Sequence, residues 1–272
     1  MTQTNARTTG RMGLAVLALA TALPAHAGNG SKDGDGPPPA CLADSKAPVE
    51  MLDLRGPDAR GDFQDAGGRI YISADLVPLA AASGREPGPG AFRKLSFVDV
   101  AGRPDRWQRR SGHLSNADGR GWLARDLVER GEAAVMPALL SPDCLAPLLR
   151  AEETARREAR GGWAREQALR ASDTAAIAAR AGHFALVVGR VLSVGETDST
   201  LYLNFGGRWS TDFTVTIPAR KRNEFAAAGL DVAGLEGAAI RIRGSVRNSG
   251  GPAISVSHPA QIERLDKDGT RR

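Results

Sequence analysis

Apolar positions recur with two different periods along this chain, and the change of period divides it. Residues 12–24 form an apolar run. Between residues 49 and 111 the apolar side chains come in short clusters, at 70–72, 76–79 and 95–100, the pattern of interrupted strands. Residues 83–90 hold two prolines and three glycines and are expected to form a loop. From Trp122 the spacing becomes helical, with Leu123, Leu127 and Val128 on one stripe and Gly131 where a helix would end. A longer helix is expected after Ser141-Pro142-Asp143, carrying Leu145, Leu148, Leu149, Glu152, Ala155 and Ala159 and stopping at Gly161-Gly162 before Trp163. Its charges at Arg150, Glu152, Glu153, Arg156, Arg157, Glu158 and Arg160 read as a solvated face.

Residues 164–181 are rich in Ala and Arg with weak periodicity, which suits a helical linker. Strand patterns return after His183, at 184–194, 200–205 and 212–217, then a helical stretch at 220–229, then strands at 239–246 and 253–258. Three strands, a helix and two strands is the order of an OB-fold. Alternation sets Leu201, Leu203 and Phe205 against Tyr202 and Asn204, and places Ile240, Ile242 and Val246 inward with Arg241, Arg243 and Arg247 outward. The expected class is therefore mainly β with helices (α+β), as two successive small barrels.

Composition changes this picture at the N-terminus. Arg7 and Arg11 precede the apolar run, which ends in Ala25-His26-Ala27, the form of a secretory signal over residues 1–27. The run is too short to span a bilayer, which takes about 20 apolar residues, and no later segment comes closer. A periplasmic or secreted protein is expected. Residues 28–45 read as a disordered leader, followed by a first domain at 46–164, the linker at 165–182 and a second domain at 183–266. Losing the signal removes two arginines and no acid, so the net charge falls from +5 to +3 and basicity must be argued locally. Cys41 and Cys144 are the only cysteines; an oxidising compartment permits a bridge between them, which their separation decides.

The segment from Asp105 to Trp163 carries a recognisable series: Asp105-Arg106-Trp107-Gln108-Arg109, then Leu127-Val128-Glu129-Arg130-Gly131-Glu132-Ala133-Ala134-Val135, then Ala151-Glu152-Glu153-Thr154-Ala155-Arg156, closed by Gly161-Gly162-Trp163. In this order and spacing it resembles the staphylococcal-nuclease (thermonuclease) family, over about residues 50–164. The resemblance implies a small OB-like barrel packed on helices. It also implies calcium-assisted phosphodiester hydrolysis, with carboxylates on calcium, a glutamate activating water and two arginines on the phosphate. Arg109 matches the second of those arginines. Asp62, in Gly61-Asp62-Phe63, can stand for one metal aspartate, and Asp75 lies one position from the other, so Asp62 and Asp75 are the candidate calcium ligands. Tyr71 stands in the first arginine's place and Leu79 in the glutamate's. Neither side chain can do that chemistry, since tyrosine is uncharged at neutral pH and leucine neither ligates nor accepts a proton. Glu86, in the 83–90 loop, has no spacing that recommends it as a substitute base.

The expected function is an exported thermonuclease-like protein with a degenerate site and a binding role toward DNA, RNA or an envelope partner. The alternative is a calcium-dependent nuclease with a rearranged site. Arg106, Trp107 and Arg110 beside Arg109 form the best basic and aromatic cluster of the first domain, able to clamp phosphate and stack a base. Tyr202, Trp209, Arg241, Arg243 and Arg247 could line a ligand face of the second domain; the bland alternative for both sets is packing and solvation. Four histidines without metal spacing, and no Gly-x-Ser-x-Gly, give no support to a zinc site or a nucleophilic hydrolase.

Overall fold

The computed structural model describes residues 1–2, 36–43, 47–58, 60–79, 90–208 and 210–266. The chain divides into two compact units, Met1–Lys32 and Asp33–Arg272. Of the first, only Met1 and Thr2 are described, so the rest of the expected signal segment lies outside the described residues, as do Glu86 and Trp209 of the second. No described helix is long and apolar enough to cross a membrane.

The second unit is α+β, with strands predominating. After helix α1 (Pro39–Ala43) come β1 (Glu50–Leu54), β2 (Asp62–Gln64), β3 (Ile70–Ser73), β4 (Leu76–Pro78), β5 (Arg93–Asp99) and β6 (Arg109–Asn116), then α2 (Leu123–Glu129), β7 (Ala133–Val135) and α3 (Pro142–Arg157). One sheet has the order β1-β5-β6-β3-β2, and β4 pairs with β7 as a separate ribbon. The end strands of the five-stranded sheet meet at a single bridge, Arg55 to Gln64, so the sheet curls without closing. Leu54, Phe63, Tyr71, Leu95, Phe97 and Leu114 fill its inside, and Tyr71 packs edge-on against Phe97 at 5.2 Å. A second cluster, with Trp122, Val128, Val135, Leu145 and Leu148, fastens α2 and α3 beneath it. Gly131 ends α2 at φ 69°, and a Cβ there would meet the Arg160 carbonyl oxygen at 2.1 Å. Only glycine tolerates both the left-handed backbone and that approach.

The remaining elements are β8 (Leu169–Arg170), α4 (Thr174–Ala178), β9 (Phe184–Arg190), β10 (Ser193–Glu196), β11 (Thr200–Asn204), β12 (Thr214–Pro218), α5 (Arg222–Ala227), β13 (Ala239–Asn248), β14 (Pro252–Ser255) and β15 (Ile262–Arg264). They form one sheet in the order β10-β11-β12-β14-β13-β9-β8, with β15 also on β13. Leu203, Phe213, Val215, Phe225, Ile240, Ile242 and Ile254 are fully buried on its inner side. The expected helical linker is not one helix. Asp173 caps α4 by accepting the Ala176 N–H at 3.0 Å, and residues 169–170 pair in parallel with β9 instead. Helix propensity of Ala and Arg is a weak prior, and here Ala171 and Ile177 are drawn into the second core.

The two lobes share a seam. Leu79, Ala134, Ala155 and Trp163 of the first meet Leu186 of the second, with Phe184 packed against them. Leu186 and Arg243 lie opposite each other on β9 and β13, so the outer face of this half of the second sheet is covered by the first lobe.

Candidate functional site

The turn that leads into β6 is organised by one carboxylate. Asp105 accepts the backbone N–H of Trp107 at 2.9 Å and of Arg109 at 3.0 Å through Oδ1, and the Arg109 Nε at 2.9 Å through Oδ2. Burial works against its charge, but these bonds outweigh that and hold the carboxyl below its usual range. The turn carries Gln108 at φ 63° and pushes Trp107 into solvent, 58% exposed. The Arg106 guanidinium lies 3.8 Å from the centre of the indole ring and that of Arg109 4.9 Å.

Arg109 reaches back across the sheet to Asp62, with Nη1 3.8 Å from Oδ1, and Arg60 approaches the other oxygen at 3.7 Å. The Asp62 N–H is held by Asp58 at 2.9 Å. Burial first, and the Asp58 charge second, push the Asp62 carboxyl above its usual range despite the two guanidiniums. Asp62, Arg109, Arg106 and Trp107 are thus brought together, and the three aspartates 58, 62 and 105 balance arginines 60, 106 and 109.

The other expected site residues go elsewhere. Asp75 sits at φ 56° and accepts the backbone N–H groups of Ala138, Leu139 and Leu140 at 2.8–3.0 Å, which ties down that loop. Burial raises its pKa even against these bonds. It shares no partner with Asp62, so the pair expected to ligate calcium is not assembled. Calcium takes 6–8 oxygens, whereas here one carboxylate is contacted by two guanidiniums and the other by three N–H groups. The residues present do not fit that ion. Tyr71 is fully buried with its hydroxyl on Asp65 at 3.2 Å, and Leu79 is packed in the seam.

Arg110 is a second correction. Being next to Arg109 on a strand it points to the opposite face, where it chelates Glu50 at 2.9 and 2.5 Å and bonds Asp99 at 2.9 Å over the Phe97 ring. It closes the β1-β5-β6 face and does not belong to the Trp107 cluster.

Arg241 and Arg243 are the third. They do stand on the outer face of β13, but the first lobe covers that face, leaving them 6% and 1% exposed. Arg243 donates to both oxygens of Glu152 at 2.9 Å and to the Val135 carbonyl at 3.0 Å, and is paired with Glu263. The Val135 N–H bonds the same Glu152 carboxylate at 2.6 Å. Arg241 bridges Glu153 and Glu263, each at 3.0 Å. Arg156 completes the set beside Glu152 and Glu153. Burial opposes the Glu263 charge, but Arg243 and Arg241 prevail and hold its carboxyl below the usual range. These are seam residues with no access to a ligand.

The charges of α3 were expected as a solvated face, which missed Glu152. Its position was the signal: it lies on the same stripe as Leu145, Leu148, Leu149 and Ala155, so a helix buried along that stripe must bury a carboxylate and supply its counter-ions. Elsewhere, Cys41 and Cys144 are joined in a disulfide with Cα atoms 4.8 Å apart, fastening α1 to α3, and His113 Nε2 lies 3.1 Å from the Cys41 carbonyl oxygen. The two sulfurs and His113 are close together, but the thiols are consumed by the bridge. Tyr202 lies on the outer side of β11 between Gly195 and Thr216, and Arg247 is exposed near the end of β13.

No protein-family model matches this chain, and a search of curated proteins returns no match.

Proposed function

We propose that this protein is an exported, thermonuclease-like binding protein whose site no longer hydrolyses phosphodiesters and instead takes single-stranded nucleic acid at Trp107. In this reading the two sheets are OB-like barrels. The observation that carries it is the Trp107 turn: a large aromatic ring displayed to solvent by a hydrogen-bonded loop, with the guanidiniums of Arg106 and Arg109 over it. An exposed aromatic with adjacent guanidinium groups suits a nucleobase beside its phosphate, and such stacking is worth about 1–3 kcal/mol per base. Hydrolysis is not expected, because the positions of the activating base and the first arginine are held by Leu79 and Tyr71, both buried.

A second reading rests on the proximity of Arg109 and Asp62. It keeps them as the core of a calcium-dependent phosphodiesterase. Both readings meet in one experiment. The purified chain is mixed with end-labelled single- and double-stranded DNA in calcium or in EDTA, beside Trp107→Ala and Arg109→Ala. The expected result is uncut DNA throughout, retention of the single strand, and at least fivefold weaker binding by Trp107→Ala. Calcium-dependent cleavage abolished in Arg109→Ala would establish the second reading. No binding to either DNA even at low salt would refute both and leave an envelope protein as the partner.

A further inference from the structure

Strand register carries one outward row of side chains across all five strands of the first sheet. Leu54, Phe63, Tyr71 and Leu95 face its core, so their neighbours Arg55, Gln64, Ile70 and Lys94 face out. Arg93 lies opposite Leu54, which sets Phe92 beside Arg55; Arg55 is bridged to Gln64, Gln64 lies opposite Ile70, and Ile70 opposite Arg109. The row therefore runs Phe92, Arg55, Gln64, Ile70, Arg109 and ends at the Trp107 turn. Side-chain contacts follow the same line. The Arg55 guanidinium lies 5.6 Å from the centre of the Phe92 ring and donates from Nη2 to Gln64 Oε1 at 2.6 Å, just as that of Arg109 lies 4.9 Å from the Trp107 ring.

Among the described residues, Phe92 and Trp107 are the two exposed Phe, Tyr or Trp rings, at 49% and 58%. Both stand at the ends of this row, each beside a guanidinium. The ends differ in charge. Around Trp107, aspartates 58, 62 and 105 balance arginines 60, 106 and 109. Around Phe92, exposed Arg93 and Lys94 join Arg55 against Asp53 alone, because Glu50 and Asp99, the other acids of β1 and β5, are held by Arg110 on the opposite face. In the turn between β2 and β3, Asp65 is committed to the Arg69 N–H and the Tyr71 hydroxyl, and Arg69 is exposed. A ligand that stacks a ring at each end and brings negative charge to the Phe92 end fits this row. Neighbouring strands lie about 4.8 Å apart, so four steps separate the ends by roughly 19 Å along the curved sheet. At a stacked rise of about 3.4 Å that is about six nucleotides, within the ~4–16 that one OB-type fold takes.

We infer that Phe92 is a second stacking station for the single strand held at Trp107, and that the strand runs along this row with phosphates at Arg55 and Arg93. The inference rests on the binding proposed above and adds to it a length and a path. It is tested with fluorescein-labelled oligothymidylates of three and twelve nucleotides, titrated at low salt with the purified chain, Phe92→Ala, Phe92→Trp and Trp107→Ala and read by fluorescence anisotropy. The longer strand, which reaches both rings, should bind the parent at least tenfold more tightly than the shorter one. Phe92→Ala should weaken the longer strand at least fivefold and leave the shorter within twofold of the parent; Phe92→Trp should bind both like the parent, and Trp107→Ala should weaken both. Circular dichroism checks that each variant is folded, and Phe92→Trp keeps a ring at the position. A folded Phe92→Ala that binds the longer strand like the parent, or that loses as much on the shorter strand as on the longer, overturns the second station and leaves Trp107 as the whole site. A parent that binds neither strand removes the binding at Trp107 and this inference with it.

Discussion

Strands β6 and β13 carry arginines of the same kind with opposite fates. On β6, Arg109 lies at the foot of an exposed turn, sharing its charge between Asp105 and Asp62 beside an indole in solvent. On β13, Arg241 and Arg243 alternate with Ile240 and Ile242 as a solvent-facing pair would, yet are sealed between two lobes. The difference lies in what covers each strand. A guanidinium at a free face keeps water as an alternative partner, and its ion pairs are worth little. One under a second lobe has given up its water, so every lost partner is felt in full. The teaching is that an outward arginine is a ligand-binding candidate only once the neighbouring domain has been placed.

The most severe way to break this comparison is Arg243→Ala. It takes from Glu152 and Glu263 the guanidinium they share, leaving Glu263 to Arg241 and Glu152 to Arg156 and the Val135 N–H, and removing one partner from a buried ion-pair set costs about 3–5 kcal/mol. The urea midpoint should fall accordingly, whereas Arg109→Ala should shift it far less; equal losses would mean that the two strands are not different in kind. Replacing Arg243 by Met together with Glu152→Gln should recover part of the loss, since one cation and one anion of the network then leave together.

The disulfide asks whether the first lobe also depends on its own staple. Cys41→Ser with Cys144→Ser opens a bridge spanning 103 positions and is expected to cost about 2–4 kcal/mol. Reductant added to the parent should produce a similar fall in the thermal midpoint. An unchanged thermal midpoint in the double variant would show that the bridge contributes nothing to stability.

Acid sharpens the contrast with a smaller effect. Glu263 has its pKa lowered in the fold, so its contribution is complete above the ordinary glutamate value of 4.5 and is lost as pH falls through the lower folded value. Burial lowers the pKa of His113 and His258 below 6.5, so the unfolded chain takes up those protons first, and stability begins to drop on acidification from that value. Asp62 and Asp75 act in the other direction: their raised values mean that acid relieves a cost. Urea midpoints between pH 7 and pH 4 should decline, and Glu263→Gln should start lower at pH 7 but lose less below pH 5. A parallel decline in that variant would remove the seam from the explanation.

The smallest expected change is in Trp107→Ala. An exposed ring at a turn tip has no buried contacts to lose, so stability should stay within about 0.5 kcal/mol. A larger fall would show that Trp107 is a packing residue, and would count against its role in binding.

Much of the element pattern was legible before any coordinates. Helical spacing from Leu145 to Ala155, the stop at Gly161, and the alternation of Leu201, Leu203 and Ile240, Ile242 correspond to α3, the following turn, β11 and β13. Gly131 fell where a helix end needs a left-handed residue. The charged side chains were read less well. Asp75 was a metal candidate by its place near Pro78, but the local turn aims it at three backbone N–H groups. Arg110 was grouped with Arg109, although neighbours on a strand face opposite ways. Glu152 was counted with a solvated face while lying on an apolar stripe.

Local periodicity is set by the backbone's own repeat, 3.6 residues in a helix and two in a strand, so residues 123–129, 142–157 and 239–248 determined for themselves which side would turn inward. Cys41 and Cys144 were also given by sequence as the only thiols available to each other. Which outward faces stay wet is not a local property. Only the docking of the first lobe onto β9 and β13 turned Arg241 and Arg243 from surface charges into a buried lock, and left Trp107 in solvent. Burial depends on partners far away along the chain, and the energy of a charge depends on burial more than on its neighbours in sequence.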